Sequence, residues 1–186
     1  SRGGMGPLLI ATMSYDVDSI RILLEHGAEV DLPNVFQITP LMAAAGMSGT
    51  GRGEGSTPQG DVQEHAIRTI DALLEGGADI NARVTDSHTH TAKLFAYIQG
   101  VDHEGQTALF AAADQGWDRV VQHLIDRGAD TSIRDAAGNN VLDIALAPVR
   151  AGPGARSGQN REATAALLNA LLIDTGDKPE ASAEAR

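Results

Sequence analysis

Thr107-Ala108-Leu109-Phe110-Ala111-Ala112-Ala113 opens, and Ile125-Asp126-Arg127-Gly128-Ala129-Asp130 closes, the stretch whose reading decides the fold. The opening is short, apolar and rich in Ala, a helix that neighbours can approach closely. The closing half carries Val120, Val121, Leu124 and Ile125 at helical spacing, the signature of an amphipathic second helix. Gly128 then falls where a helix C-terminus takes a left-handed residue. The stretch therefore reads helix, turn, helix, loop. One such hairpin cannot bury its own apolar face, whereas stacked neighbours can.

Outward from this stretch the same two landmarks recur. Further openings are Gly6-Pro7-Leu8, Thr39-Pro40-Leu41 and Asn140-Val141-Leu142; further closings are Gly27-Ala28-Glu29 and Gly77-Ala78-Asp79. Leu8 to Gly27 and Leu109 to Gly128 are both 19 residues, while Gly27 to Leu41 and Gly128 to Leu142 are both 14, which sets a period of 33. Three spacings are longer. Leu41 to Gly77 carries 17 extra residues, Gly77 to Leu109 carries 18, and Leu142 to Gly176 carries 15. The chain is a repeat array broken by three insertions.

With Thr39-Pro40-Leu41 opening a first helix and Gly128-Ala129-Asp130 following a second, the chain resembles the ankyrin-repeat family. The resemblance covers about residues 5–147, and 161–176 more weakly. It implies an all-α solenoid of about four helix pairs with three long loop insertions. The units are 5–37, 38–104 with two insertions, 105–137, and 138–176 with one, followed by a polar tail at 177–186. Leu9, Met42, Phe110 and Asp143 stand where the family carries a His after Leu, so that polar network is not expected. The resemblance also implies a non-catalytic module that binds a protein partner. Long interrupted units of this kind point to a bacterial source, with a periplasmic or extracellular place as open as a cytoplasmic one.

Composition narrows the function further. Apolar residues are 42% of the 186-residue chain and aromatics only 3%, so the core must be built from Ala, Leu, Ile and Val. Fourteen basic against 25 acidic residues give a net charge of −11, without the basic footprint that a nucleic-acid binder needs. The same charge disfavours anionic membranes and favours a partner with a basic or apolar patch. No apolar run is long enough to span a bilayer. With no Cys, disulfides, thiol catalysis and thiolate metal sites are excluded. No charged and apolar leader opens the chain, so either nothing targets it or a leader has been removed.

The insertions carry the candidate sites. The first, about Met47–Gln63, is rich in Gly and Ser and reads as a flexible loop, without the strand or Gly-Lys-Ser/Thr of a phosphate loop. The third, about Pro148–Asn160, takes the same position in the fourth unit. The second, about Val84–Glu104, contains the apolar Lys93-Leu94-Phe95-Ala96-Tyr97-Ile98, which either packs across the repeats or meets a partner. Met13, Met47, Phe95, Tyr97, Asp114 and Trp117 are the candidate partner-binding residues, on first helices, turns and the second insertion. Trp117 either packs beneath the long loops or anchors a partner.

Two histidines in an extended segment, His88 and His90, point to one side and can chelate an ion with His103 as a third ligand; a solvated loop is the competing reading. His26 and His123 read as structural. No nucleophile or paired-carboxylate pattern marks an enzyme, and no cofactor is expected. Leu8, Leu9, Ile10, Ile20 and Leu23 open the array with little to cover them, so another chain or further sequence is expected to cap the first unit.

Overall fold

The computed structural model describes residues 5–47, 61–85, 103–147 and 161–174. The helices among the described residues are α1 (Pro7–Met13), α2 (Val17–Glu25), α3 (Pro40–Ala44), α4 (Val62–Glu75), α5 (Ala108–Gln115), α6 (Asp118–Asp126), α7 (Val141–Leu146) and α8 (Arg161–Asp174). There is no strand among the described residues.

Local chemistry starts and stops each helix. Pro7 and Pro40 occupy first-turn positions, where a missing N–H costs nothing. Asn140 and Asp143 form a reciprocal capping box at the start of α7, with bonds of 2.9 and 2.8 Å. At the other ends, Gly27, Gly77 and Gly128 have φ of 83°, 89° and 96°. The amides that follow, Ala28, Ala78 and Ala129, reach back to the carbonyls of Leu23, Leu73 and Leu124 at 2.9–3.0 Å. These are Schellman closures, and they need a residue that tolerates positive φ.

The helices pack as two layers. The first helices touch in the order α1, α3, α5, α7, and the second helices in the order α2, α4, α6, α8. One apolar core runs between the layers, with Ile20, Ile70, Leu73, Val120, Val121 and Leu124 wholly buried from the second helices. Leu41, Leu109 and Phe110 face them from the first helices. Ala44, Ala45, Ala112 and Ala113 are also fully buried, which is how an array poor in aromatics still closes its interior. Truncating a large member such as Leu109 to Ala would cost about 3 kcal/mol.

A repeated stitch fixes the distance between successive pairs. The Asp79 amide donates to Asp31 Oδ2 at 3.0 Å, and one unit on the Asp130 amide donates to Asn81 Oδ1 at 2.9 Å. Asp31 and Asn81 each lie four residues after the closing glycine. The first unit is better covered than its sequence suggests. Leu8, Leu9 and Ile20 are buried and Leu23 is half-buried, because they face α2, α3 and α4 rather than the end of the stack. Ile10 and Ile22 stay exposed.

Candidate functional site

The turns joining one helix pair to the next share a closing hydrogen bond. Asn34 N donates to Ile38 O at 3.0 Å, and Asp135 N donates to Asn139 O at 2.9 Å. In the unit between them, Val84 N donates to Gln106 O at 2.9 Å. The second insertion therefore lies inside the turn, and its neck keeps the bond of an uninterrupted turn. Gly105 N returns a bond to Val84 O at 2.9 Å, and Arg83 Nε donates to Gly105 O at 3.1 Å while its Nη2 reaches Arg134 O. The neck is thus tied to the following turn as well as to itself.

The other two insertions return onto arginine clamps. After the first, Arg119 of α6 binds Asp61 and Glu64 at the start of α4, with 2.8 Å to Glu64 Oε2. Gln63 accepts from the Arg119 amide at 3.0 Å and donates to Asp118 Oδ1 at 3.3 Å. After the third, Arg161 donates to Ala147 O at 2.9 Å, to Asp114 O at 2.9 and 2.6 Å, and to the Asp114 carboxylate. These contacts hold the carbonyl that precedes the insertion against the residue that follows it. Loops presented from fixed necks on a rigid framework are where binding residues concentrate.

The residues singled out by sequence fall into three groups. Met13 is half-buried at the end of α1, and Asp114 is exposed near the end of α5, paired with Arg161. Met47 and Trp117, each 4% exposed, belong to the core. A Cβ on Gly46 would sit 2.7 Å from Gln115 and 3.0 Å from the Trp117 ring, so the two turns pack edge to edge. Phe95, Tyr97, His88 and His90 lie outside the described residues, as do the interiors of the first and third insertions. Of the three proposed metal ligands only His103 is described, and its Nδ1 lies 2.8 Å from Gln106 Oε1. No group of three or more metal-binding side chains occurs among the described residues.

His26 caps its own helix, with Nδ1 2.8 Å from Ile22 O. His123 joins α6 to α4, its Nε2 2.9 Å from Asp71 Oδ1, and Arg127 shares that carboxylate at 2.7 Å. An open cleft of about 530 Å³ between α2 and α4 is lined by Tyr15, Asp18, Arg21, His65, Arg68 and Glu75. Its charges mix in sign, and Arg21 meets Glu75 at 3.7 Å. Three carboxyls are held below their ordinary range. The Ser19 hydroxyl and amide lower Asp16, and the Ser132 hydroxyl and amide lower Asp130. At Asp61 desolvation pushes upward, and the Gln63 amide with the Arg119 guanidinium outweighs it. All three are structural.

Sequence reasoning missed Asp31, Asn81, Arg83, Arg119 and Arg161. The first two leave a signal, a short polar side chain at a constant distance from the glycine. The arginines leave none, because what they bind is far along the chain.

Residues 104–136 match the family model of the ankyrin repeat. The chain is similar to human ankyrin repeat and MYND domain-containing protein 1, 32% identical over 85 residues, which is 44% of this chain and 8% of that protein. It is also similar to rat transient receptor potential cation channel subfamily V members 5 and 6. These are 32% and 35% identical over 45% and 43% of this chain, and over 11% and 10% of the channels. The chain therefore spans about a tenth of the length of these relatives. With its stacked helix pairs, the chain carries the ankyrin repeat, a module that generally mediates protein–protein interaction and is typically non-catalytic. No described helix is long and apolar enough to cross a membrane.

Proposed function

We propose that the protein binds a protein partner through the surface made by its first helices and connecting turns, extended by the inserted loops. The observation that carries this reading is the construction of the loop necks. The Val84–Gln106 bond and the Arg161 clamp close the stack's connections where the insertions interrupt them, so that the core is undisturbed. Met13 and Asp114 supply contact from the framework, and Phe95 and Tyr97 from the second insertion. Met47 and Trp117 support the turns from behind. The net charge of −11 favours a basic patch on the partner.

Affinity capture from the native source, followed by mass spectrometry, identifies the partner. The variant Phe95→Ala/Tyr97→Ala is then expected to weaken its binding at least about tenfold, the size of effect interface anchors give, with an unchanged unfolding midpoint. Unchanged affinity with a lowered midpoint would make those side chains core and end their role in contact. A second reading, a structural subunit of a larger assembly, is favoured by the exposure of Ile10 and Ile22 at the first helix pair.

A further inference from the structure

The second helices meet along two comparable grooves, and only one of them is closed. Between α4 and α6, Arg119 reaches back to the preceding helix and seats its guanidinium on Asp61, the cap of α4, and on Glu64. Arg119 lies nine residues before its closing glycine, and Arg68 of α4 lies nine before its own. Arg68 thus stands in register to reach Asp16, the cap of α2. It does not. Its Nε turns to Glu64 of its own helix at 3.1 Å, and the groove between α2 and α4 stays open as the cleft of about 530 Å³.

The lining of the open groove suits the group it lacks. Arg21 and Glu75 pair across one end, and Asp71 is held by His123 and Arg127 of α6. At the other end Asp16 and Asp18 are exposed, with no cationic partner among the described residues. The Ser19 hydroxyl and amide hold the Asp16 carboxyl below its ordinary range, so it is ionised at neutral pH.

Beside these carboxylates stands an aromatic pair. Tyr15 lies 12 residues before its closing glycine, where the third unit has Gly116, and both take a left-handed backbone with φ of 55° and 70°. A bulky residue rarely adopts that conformation. The Tyr15 ring sits 6.3 Å from the ring of His65, and both line the cleft. A guanidinium pairs with carboxylates through its edge and stacks on rings by its face.

We infer that the α2–α4 groove is a binding site for an arginine side chain of a basic peptide segment, whose guanidinium takes beside Asp16 and Asp18 the place that Arg119 takes in the next groove. Lysine is the poorer occupant, because its ammonium is a point charge without a face to stack. The net charge of −11 draws such a segment toward the protein. The groove belongs to the second helices and goes beyond the first-helix surface proposed above. Asp18 and His65 report on the groove, Phe95 and Tyr97 on that surface, so each can fail without the other.

The test titrates the peptide acetyl-Ala-Arg-Ala-Arg-Ala-amide into the isotope-labelled full chain and follows the backbone amides by NMR. The expected result is saturable shifts at Tyr15–Ser19 and His65–Arg68, with a Kd of about 1 mM or tighter. The lysine counterpart of the peptide should bind at least about fivefold more weakly. Asp18→Asn, at an exposed position, should weaken the arginine peptide about fivefold with an unchanged unfolding midpoint. His65→Ala should weaken it about threefold. No saturable shift, shifts spread evenly over the acidic surface, equal binding of the lysine peptide, or an unchanged Kd in either variant overturns the proposal.

Discussion

The turn at 34–38 and the neck at 84–106 occupy the same place in successive units, yet one closes over three residues and the other over 21. Both use the same backbone bond, 3.0 Å in the short turn and 2.9 Å in the long one. They differ in what supports that bond. In the short turn the Asn34 side chain accepts from the Phe36 and Ile38 amides at 2.9 and 3.1 Å. Asp135 does the same for Ala137 and Asn139 at 3.0 and 2.8 Å. At the neck the equivalent residue is Val84, which has no acceptor. Arg83 and the Gly105 amide hold it from outside instead. An inserted loop thus exchanges local support for support from the neighbouring unit.

The sharpest way to break the neck is at Gly105, which has φ of 79° and where a Cβ would meet Ala136 N at 2.9 Å. Gly105→Ala is expected to destabilise by about 3 kcal/mol, combining positive φ with a backbone clash. Gly138→Ala, with φ of 86° and open space around it, should cost about 1 kcal/mol. Denaturant unfolding of the two variants compares them directly, and equal losses would mean the neck is not tightly packed on the next turn.

The arginine clamps should differ next. Arg161→Met removes a guanidinium only 15% exposed that satisfies two carbonyls and a carboxylate, and should cost about 2 kcal/mol. Arg119→Met removes a clamp 47% exposed and should cost under about 1 kcal/mol.

Replacing residues 85–105 by Ala-Ala-Gly, with Val84→Asp to restore the acceptor, should keep the fold. It should stabilise by about 1.5 kcal/mol through the shorter closed loop. A loss of stability would mean that the inserted residues pack on the stack.

The smallest effect is electrostatic. Asp16, Asp61 and Asp130 have folded values below the ordinary 3.8. Their contribution is therefore present above about pH 4 and is lost as pH falls through the lower folded values. Asp130→Asn should flatten that acid limb of the unfolding midpoint, and an unaltered limb would remove Asp130 from it.

The array itself was legible because glycine and leucine landmarks recur at fixed distances, and those distances are set by helix length and closure geometry. Even the 18 extra residues of the second insertion reappear as the difference between the two turns. Burial was harder to read. Met47 and Trp117 sit in turns, where the sequence leaves contact with a partner open for both and packing open for Trp117; both are buried, and the absence of a side chain on Gly46 lets the Trp117 ring approach the neighbouring turn. Leu8 and Ile20 are buried although the sequence leaves them open at the end of the array, because helical periodicity says which residues share a face but not which neighbour that face meets. The clamps of Arg119 and Arg161 join residues 55–58 and 47 positions apart, beyond the reach of any local pattern.

A bond between two backbone atoms asks nothing of the chain that leaves and returns. Because Val84 and Gln106 meet through main-chain groups, a segment of any length can be spliced in between them provided that it ends in a glycine at the place of Gly105. That stretch is then free to vary in sequence while the scaffold beneath goes on folding as before.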